Sequence, residues 1–234
     1  MRDRFVNGLL GLALGDAIGA PYEGVPAEYI LHELGPTPQL VAQAPTRTLH
    51  YTDDTEMTLG VAETLIAHGH IDESTLVAAF ARNYHANRGY GQGARRVIEA
   101  MIDGNASPMH WRTLAATFFP GGSLGNGAAM RVAPVGLLFH DDLDLVWEQA
   151  RLSALPTHVH PVGIEGAQVL ALAVALAVRM RPLDRKAFYR ELLARAVTEE
   201  FRWHLRHAAR LRRGDSLAGL GSGLEAHRSV VTAI

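Results

Sequence analysis

Apolar positions recur at three- and four-residue spacing along most of the chain, which is the helical period. In residues 5–19, Phe5, Val6, Leu9, Leu10, Ala13 and Ile18 are interleaved with glycines at 8, 11, 15 and 19. That pattern predicts a helix that Pro21 stops. Each glycine inside a helix costs about 1 kcal/mol against alanine, so the row predicts the close approach of another helix. Residues 55–67 place Met57, Val61 and Leu65 on one row with Ala62 and Ile66 beside it, an amphipathic pattern. Residues 75–84 and 93–101 read as further helices. Residues 163–180 are apolar nearly all round, which predicts a helix at the centre of a bundle. Residues 185–213 read as one or two polar helices. No stretch shows four residues of clean strand alternation, and no internal repeat is found. Loops are expected over residues 36–51, 103–107 and 118–127. The expectation is an all-α fold, one domain over residues 1–234, with no linker-like segment.

Composition narrows the chemistry. Apolar residues make up 48% and charged residues 20% of the 234, which excludes a disordered chain. Cysteine is absent, so disulfides, thiolate metal sites and cysteine nucleophiles are excluded. The net charge of −2 gives no global reason to expect nucleic acid. Residues 1–178 hold 10 basic and 18 acidic side chains, whereas residues 179–213 hold 11 basic and 4 acidic ones. The basic stretch reads first as solvated helix faces and second as an anion-binding surface. The first residues lack a secretory layout. The longest uninterrupted apolar run, residues 169–178, is half the length of roughly 20 that a membrane span needs. The expectation is a cytoplasmic protein with neither membrane nor nucleic-acid partner.

Four segments carry candidate chemistry. Tyr51-Thr52-Asp53-Asp54-Thr55-Glu56-Met57 opens a helix. Thr52 or Asp53 would cap it, and acids there gain about 0.3–1 kcal/mol each from the dipole. Equally, Thr and Asp oxygens converging at a helix start would suit Mg²⁺. The bare segment leaves both open. Gly15-Asp16-Ala17-Ile18-Gly19-Ala20-Pro21-Tyr22-Glu23-Gly24 ends a helix in a turn, with Asp16 as a buried hydrogen-bond partner and Glu23 as a loop acid in the plainer reading. Residues 121–127 contain four glycines and a serine, a loop whose amides at a helix start would suit phosphate oxygens or serve only as a connector. It is neither a P-loop nor a dinucleotide turn. Finally, Thr157-His158-Val159-His160-Pro161 precedes the most apolar helix. Histidines at i and i+2 do not share a helix face, so structural roles are the first reading.

Taken in order, Gly-x-x-x-Gly-Asp-x-x-Gly-x-x-x-Glu, Tyr-Thr-Asp-Asp-Thr-x-Met, Gly-x-Gly-Asn-Gly-x-x-Met-Arg and Thr-His resemble the ADP-ribosylglycohydrolase family over about 140 residues. The resemblance implies a compact orthogonal helical bundle that removes ADP-ribose from protein side chains or other conjugates, using two Mg²⁺ ions. It implies Thr52, Asp53 and Asp54 as metal ligands, with Glu23, Asp53 and Asp54 as the catalytic acids and Glu23 meeting the scissile ribose. The loop formed by Gly122, Ser123, Leu124, Gly125 and Asn126 would hold the diphosphate and distal ribose, and His158 would line the cleft. Tyr90 and Gly91, in Arg88-Gly89-Tyr90-Gly91, would stack against adenine. Tyr51, that segment and residues 225–234 look most like the serine-linked and poly(ADP-ribose) hydrolase branch; the arginine-linked branch shares the other motifs.

The chain also departs from the family pattern. Members continue past a Ser-Val-Pro-Thr-Ala segment into a helix pair with an Asp-x-Asp-Thr motif that completes the metal site. Here Val231 stands in place of the proline, and Ile234 follows directly. The expectation is a fragment or a shortened homologue with half of the metal site, and with apolar surface that could drive a homo-oligomer. A non-catalytic ADP-ribose-binding or structural homologue is the alternative. A third reading, an unrelated magnesium hydrolase, would cleave nucleotides at phosphate.

Overall fold

The computed structural model describes residues 2–35, 41–42, 44–46, 48–104 and 108–234. The helices whose bounds lie within the described residues are α1 (Arg2–Gly19), α2 (Ala27–Leu34), α3 (Asp53–His68), α4 (Glu73–Asn83), α5 (Gln92–Ile102), α6 (Pro108–Phe118), α7 (Ala133–Leu138), α8 (Leu143–Ala154), α9 (Pro161–Arg179), α10 (Arg185–Arg195), α11 (Glu199–Arg210) and α12 (Ala226–Ala233). No strand occurs among the described residues; the one extended pairing is an isolated antiparallel bridge between Gly125 and Glu225. The all-α expectation holds. Of the loop expected over residues 36–51, residues 36–40, 43 and 47 lie outside the described residues, as do residues 105–107; within it Ala44–Thr46 forms a single 3-10 turn.

α9 is the axis, packed against α7, α8, α10, α11 and α12. Its length and composition alone would let it cross a membrane, yet most of it is buried inside the fold, as the sequence pattern predicts. Two of its faces serve two apolar clusters. Ala167, Ala171 and Ala175 join Met57, Val61, Leu76, Phe80 and Val135 in the first. Val169, Leu172 and Leu176 join Phe188, Leu192, Phe201, Leu205 and Val230 in the second. The alanine face lets α7 come close: a Cβ on Gly136 would stand 2.3 Å from the Ala171 carbonyl oxygen.

Residues 185–213 divide into α10 and α11. The buried Glu165 carboxylate accepts the Val197 and Thr198 amides at the break, the latter at 3.0 Å. The basic stretch is partly spent on local pairing. Arg185 donates to the Ala208 and Ala209 carbonyls, and Arg195 pairs with Glu191 and Asp144. The glycine row of α1 departs from expectation. Gly8 meets Leu137 of α7, but among the described residues nothing comes within 4 Å of a Cβ placed on Gly11, Gly15 or Gly19. α7 is only six residues long and cannot cover an eighteen-residue helix, so Val6, Leu10 and Leu14 remain exposed.

Candidate active site

In the first turn of α3, capping falls to Thr52 and Asp16. Thr52 is the N-cap, its hydroxyl accepting the Asp54 amide at 3.3 Å and donating to Asp16 Oδ1 at 2.7 Å. Asp16 Oδ2 accepts the Thr52 amide at 2.8 Å, the Thr55 amide at 3.2 Å and the Thr55 hydroxyl. The orphan donors of the helix start are thus met by Thr52 and by an acid from α1. Glu56, buried, accepts the His85 amide at 2.9 Å and faces its ring. Asp53 and Asp54 are left over. Among the described residues no other side chain donates a hydrogen bond to either carboxylate, and neither has a cationic partner.

Both pay for this in proton affinity. Burial, then the charges of Glu23, Asp16 and Glu56, push the Asp53 carboxyl up to about 6. Burial, then Asp53, Asp16 and Glu23, push Asp54 up to about 7. Desolvation and neighbouring like charge both disfavour the ionised carboxylate, so the two shifts add.

Gly89, in the loop before α5, faces Asp53: a Cβ there would lie 3.8 Å from Oδ1. The Arg88 carbonyl accepts the Asp53 amide at 2.8 Å, while its guanidinium donates to the Tyr51 carbonyl and lies 3.8 Å over the Tyr51 ring. The Arg-Gly-Tyr-Gly segment therefore pins the start of α3. Tyr90 corrects the sequence reading. It is buried in the first cluster, edge-on to Tyr84 at 4.8 Å, and burial raises its phenol above its ordinary range. Facing inward, it is not part of the cleft wall, whereas Gly91 is.

The cleft has a volume of about 650 Å³. Glu23, Asp53, Asp54, Gly89 and Gly91 line one part of it; Gly122, Ser123, Leu124, Gly125, Asn126, Gly127, Thr157 and His158 line another. Glu23 is exposed on the turn that follows Ala20–Tyr22. Phe118, Phe119, Leu224 and Glu225 also belong to the wall. Thr52 is not in the wall, since its hydroxyl is turned to Asp16.

The glycine loop fits so closely that side chains are excluded. A Cβ on Gly122, whose φ is +92°, would stand 2.4 Å from the His160 amide nitrogen, and one on Gly163 would stand 2.3 Å from the Ser123 carbonyl oxygen. The loop is also tied to residues 224–226, by Asn126 N to Leu224 O at 2.9 Å and Ala226 N to Leu124 O at 2.8 Å. It leads into the short turn Asn126–Ala128 rather than an α-helix, which corrects the expected helix start. The two histidines divide their work. His160 caps α9, accepting the Val162 amide at 3.2 Å; His158 is buried in the cleft wall.

Asp16, Arg131, Thr157, Leu224 and Glu225 were not assigned to the site from sequence. Arg131 is fully buried, and burial brings its guanidinium down to about 9. An arginine at the head of an apolar run, just after a glycine loop, was the signal available. Among the described residues, no three His, Asp or Glu side chains gather closely enough to hold a metal ion. Two carboxylates with water remain sufficient for Mg²⁺, which binds in this way rather than in an all-protein cage.

The whole chain, residues 1–234, matches the ADP-ribosylglycohydrolase family. A mouse (Mus musculus) protein named ADP-ribosylhydrolase ARH3 is 39% identical over 184 residues, covering 75% of this chain and 49% of the relative. The human (Homo sapiens) protein of the same name is 33% identical over 263 residues, covering 99% of this chain and 72% of the relative. A solved ADP-ribosylglycohydrolase-related protein complex superimposes with a TM-score of 0.65 at 25% identity, covering 98% of this chain and 73% of that one.

Proposed function

Because the chain belongs to the ADP-ribosylglycohydrolase family, we propose that it hydrolyses the glycosidic bond between ADP-ribose and a protein side chain or another conjugate. The carrying observation is one cleft whose wall joins Glu23, Asp53 and Asp54 to a glycine loop and His158. Acids beside a glycine-rich loop suit a ligand with a ribose at one end and a diphosphate in the middle.

Departure of the leaving group gives the ribose oxocarbenium character, which nearby anionic oxygens stabilise. Glu23 is exposed in the cleft, where it orients a water and takes its proton. The water oxygen bonds to the anomeric carbon, the bond to the side-chain oxygen or nitrogen breaks, and that atom receives the proton that Glu23 took from the water, which returns Glu23 to its starting state. Asp53 and Asp54 would hold Mg²⁺, with the Thr52 hydroxyl nearby and two ions in the family's complete site. Bound there, the metal would supply positive charge to anchor ribose hydroxyls and polarise water. Serine-linked or poly(ADP-ribose) conjugates are the substrates we favour, from Tyr51, Arg88-Gly89-Tyr90-Gly91 and residues 225–234.

The test is release of ADP-ribose from serine-ADP-ribosylated peptide with and without Mg²⁺. Asp53→Asn combined with Asp54→Asn is expected to lower the rate at least 100-fold. A double variant that works at near-parental rate would overturn the metal role. A second reading is a binder without turnover, in which the cleft holds ADP-ribose but does not cleave it. Calorimetry separates the two: ADP-ribose binding indifferent to Mg²⁺, with no hydrolysis, supports the binder.

A further inference from the structure

A fully buried guanidinium, a threonine hydroxyl and a buried imidazole form a chain behind the glycine loop. Arg131 Nη2 donates to the Ser153 carbonyl and to Thr157 Oγ1, both at 2.8 Å, and Nη1 donates to the Gly127 carbonyl at 3.3 Å. Thr157 Oγ1 lies 2.8 Å from His158 Nδ1. These contacts have only one economical proton arrangement. Guanidinium has donors and no acceptor, so the threonine oxygen accepts from Arg131 and its own hydrogen is left to place. Among the described residues, His158 Nδ1 is the one acceptor within reach of that hydroxyl. Nδ1 must then be the bare nitrogen. A hydrogen on Nδ1 would leave the buried threonine hydroxyl proton without an acceptor, at about 1–3 kcal/mol.

The ring hydrogen therefore resides on Nε2. That atom has no partner in the chain among the described residues. It lies 3.4 Å from the place a Cβ would take on Gly127 and 4.0 Å from that on Gly125, on the cleft side of the ring. Burial, reinforced by Arg131, brings His158 down to about 3, so it is neutral at physiological pH. A second buried cation beside Arg131 is avoided, and a donor is kept.

Resting on the hydrolase reading above, we propose that Arg131 and Thr157 are positioning residues that lock His158 in its Nε2–H tautomer, aiming one neutral donor at a diphosphate oxygen of the ligand held by the glycine loop. The same guanidinium grips the Gly127 carbonyl, so loop position and proton placement are set together.

The direct test is long-range ¹H–¹⁵N spectroscopy of the histidine-labelled, ligand-free chain at pH 7. His158 is expected to show a bare Nδ1 and a protonated Nε2, identified by their couplings to the ring carbon-bound hydrogens. Thr157→Val should lose the lock and give a mixed or Nδ1–H pattern. It should weaken ADP-ribose binding by about five- to tenfold, the range of one hydrogen bond, and leave binding of adenosine, which lacks the diphosphate, within twofold. Thr157→Ser, which keeps the hydroxyl, should restore both tautomer and affinity, which a purely structural role for the methyl-bearing side chain would not predict. An Nδ1–H tautomer in the parental chain overturns the proposal, as does a Thr157→Val chain with unchanged tautomer and ADP-ribose affinity. If Thr157→Val does not fold, the parental spectrum and Thr157→Ser still decide. Failure of the parental chain to bind ADP-ribose would count against the hydrolase reading, whereas the tautomer is read without ligand.

Discussion

At the scale of single residues, adjacent Asp53 and Asp54 differ from the acids around them in having no task inside the fold. Asp16 caps α3 and Glu56 holds His85, whereas Asp53, buried, and Asp54, half-buried, are crowded by like charge and raised to about 6 and 7. The sign of their linkage follows. Above pH 7 both are ionised in the folded and unfolded chains, and the folded chain bears the full penalty. As pH falls through about 7 and then 6, the folded chain binds protons that the unfolded chain takes up only near 3.8, so stability rises. Below about 6.5 the neutral, buried His158, held down to about 3, acts the other way. The metal-free chain should therefore gain about 0.5 kcal/mol between pH 8 and pH 6.5, read as a melting temperature roughly 1–2 °C higher. Asp54→Asn should remove most of that gain, and millimolar Mg²⁺ should flatten it by stabilising the chain at pH 8. A parental chain equally stable at both pH values without metal would show that the acids are not strained. Asp16→Ala asks the converse question. It strips acceptors from two amides and two hydroxyls at once, and should cost about 2–4 kcal/mol in urea unfolding. The sequence displays all of these acids but not which of them cap, because the acceptor for Thr52 and Thr55 comes from a residue 36 to 39 positions away.

At the scale of elements, the glycine loop shows what spacing can and cannot reveal. Four glycines in residues 121–127 mark a loop, yet the reason for Gly122 lies at His160, and the reason for Gly163 lies at the Ser123 carbonyl. Gly163→Ala would drive a Cβ into a backbone oxygen at 2.3 Å. The loop must shift, and a loss of about 1–3 kcal/mol is expected, together with at least tenfold weaker ADP-ribose binding by calorimetry. Unchanged affinity would mean that the loop is not the ligand's seat. Helices α3, α4, α5 and α9 were legible because their apolar rows are long and periodic. α8 was not read, although Asp142 accepts the Asp144 and Leu145 amides as its N-cap and Val146, Ala150 and Ala154 are buried at helical spacing. Its other side chains are mixed enough to blur the period. The glycine row of α1 misled in the opposite direction: its spacing suits close packing, but the partner needed to fill it is not on that face among the described residues.

At the scale of the whole molecule, α9 couples halves that would otherwise be separable. The first cluster gathers α3, α4, α7 and α8 behind the acidic part of the cleft, the second gathers α10, α11 and α12, and α9 contributes a face to each. Neither half has a covered core without it, so loss of α9 packing exposes both. This predicts one cooperative transition although the chain exceeds the size at which two-state unfolding is usual. Leu172 and Val61, both fully buried, sit in different clusters. Leu172→Ala should cost about 2–5 kcal/mol and Val61→Ala somewhat less. Each should move the entire transition rather than split it. Far-UV circular dichroism reports every helix, and fluorescence selected for Trp147, which packs on the second cluster, reports one half; a chain retaining only that tryptophan supplies the second signal. Coincident denaturant midpoints in the parental chain and in both variants are the expected result. A Leu172→Ala chain in which Trp147 is released while most helicity survives would mean that the cleft is carried by an independently stable half. The glycine loop, tied to residues 224–226 of the other half, would then open and close with that separation, and ADP-ribose should restore the single transition by bridging the two.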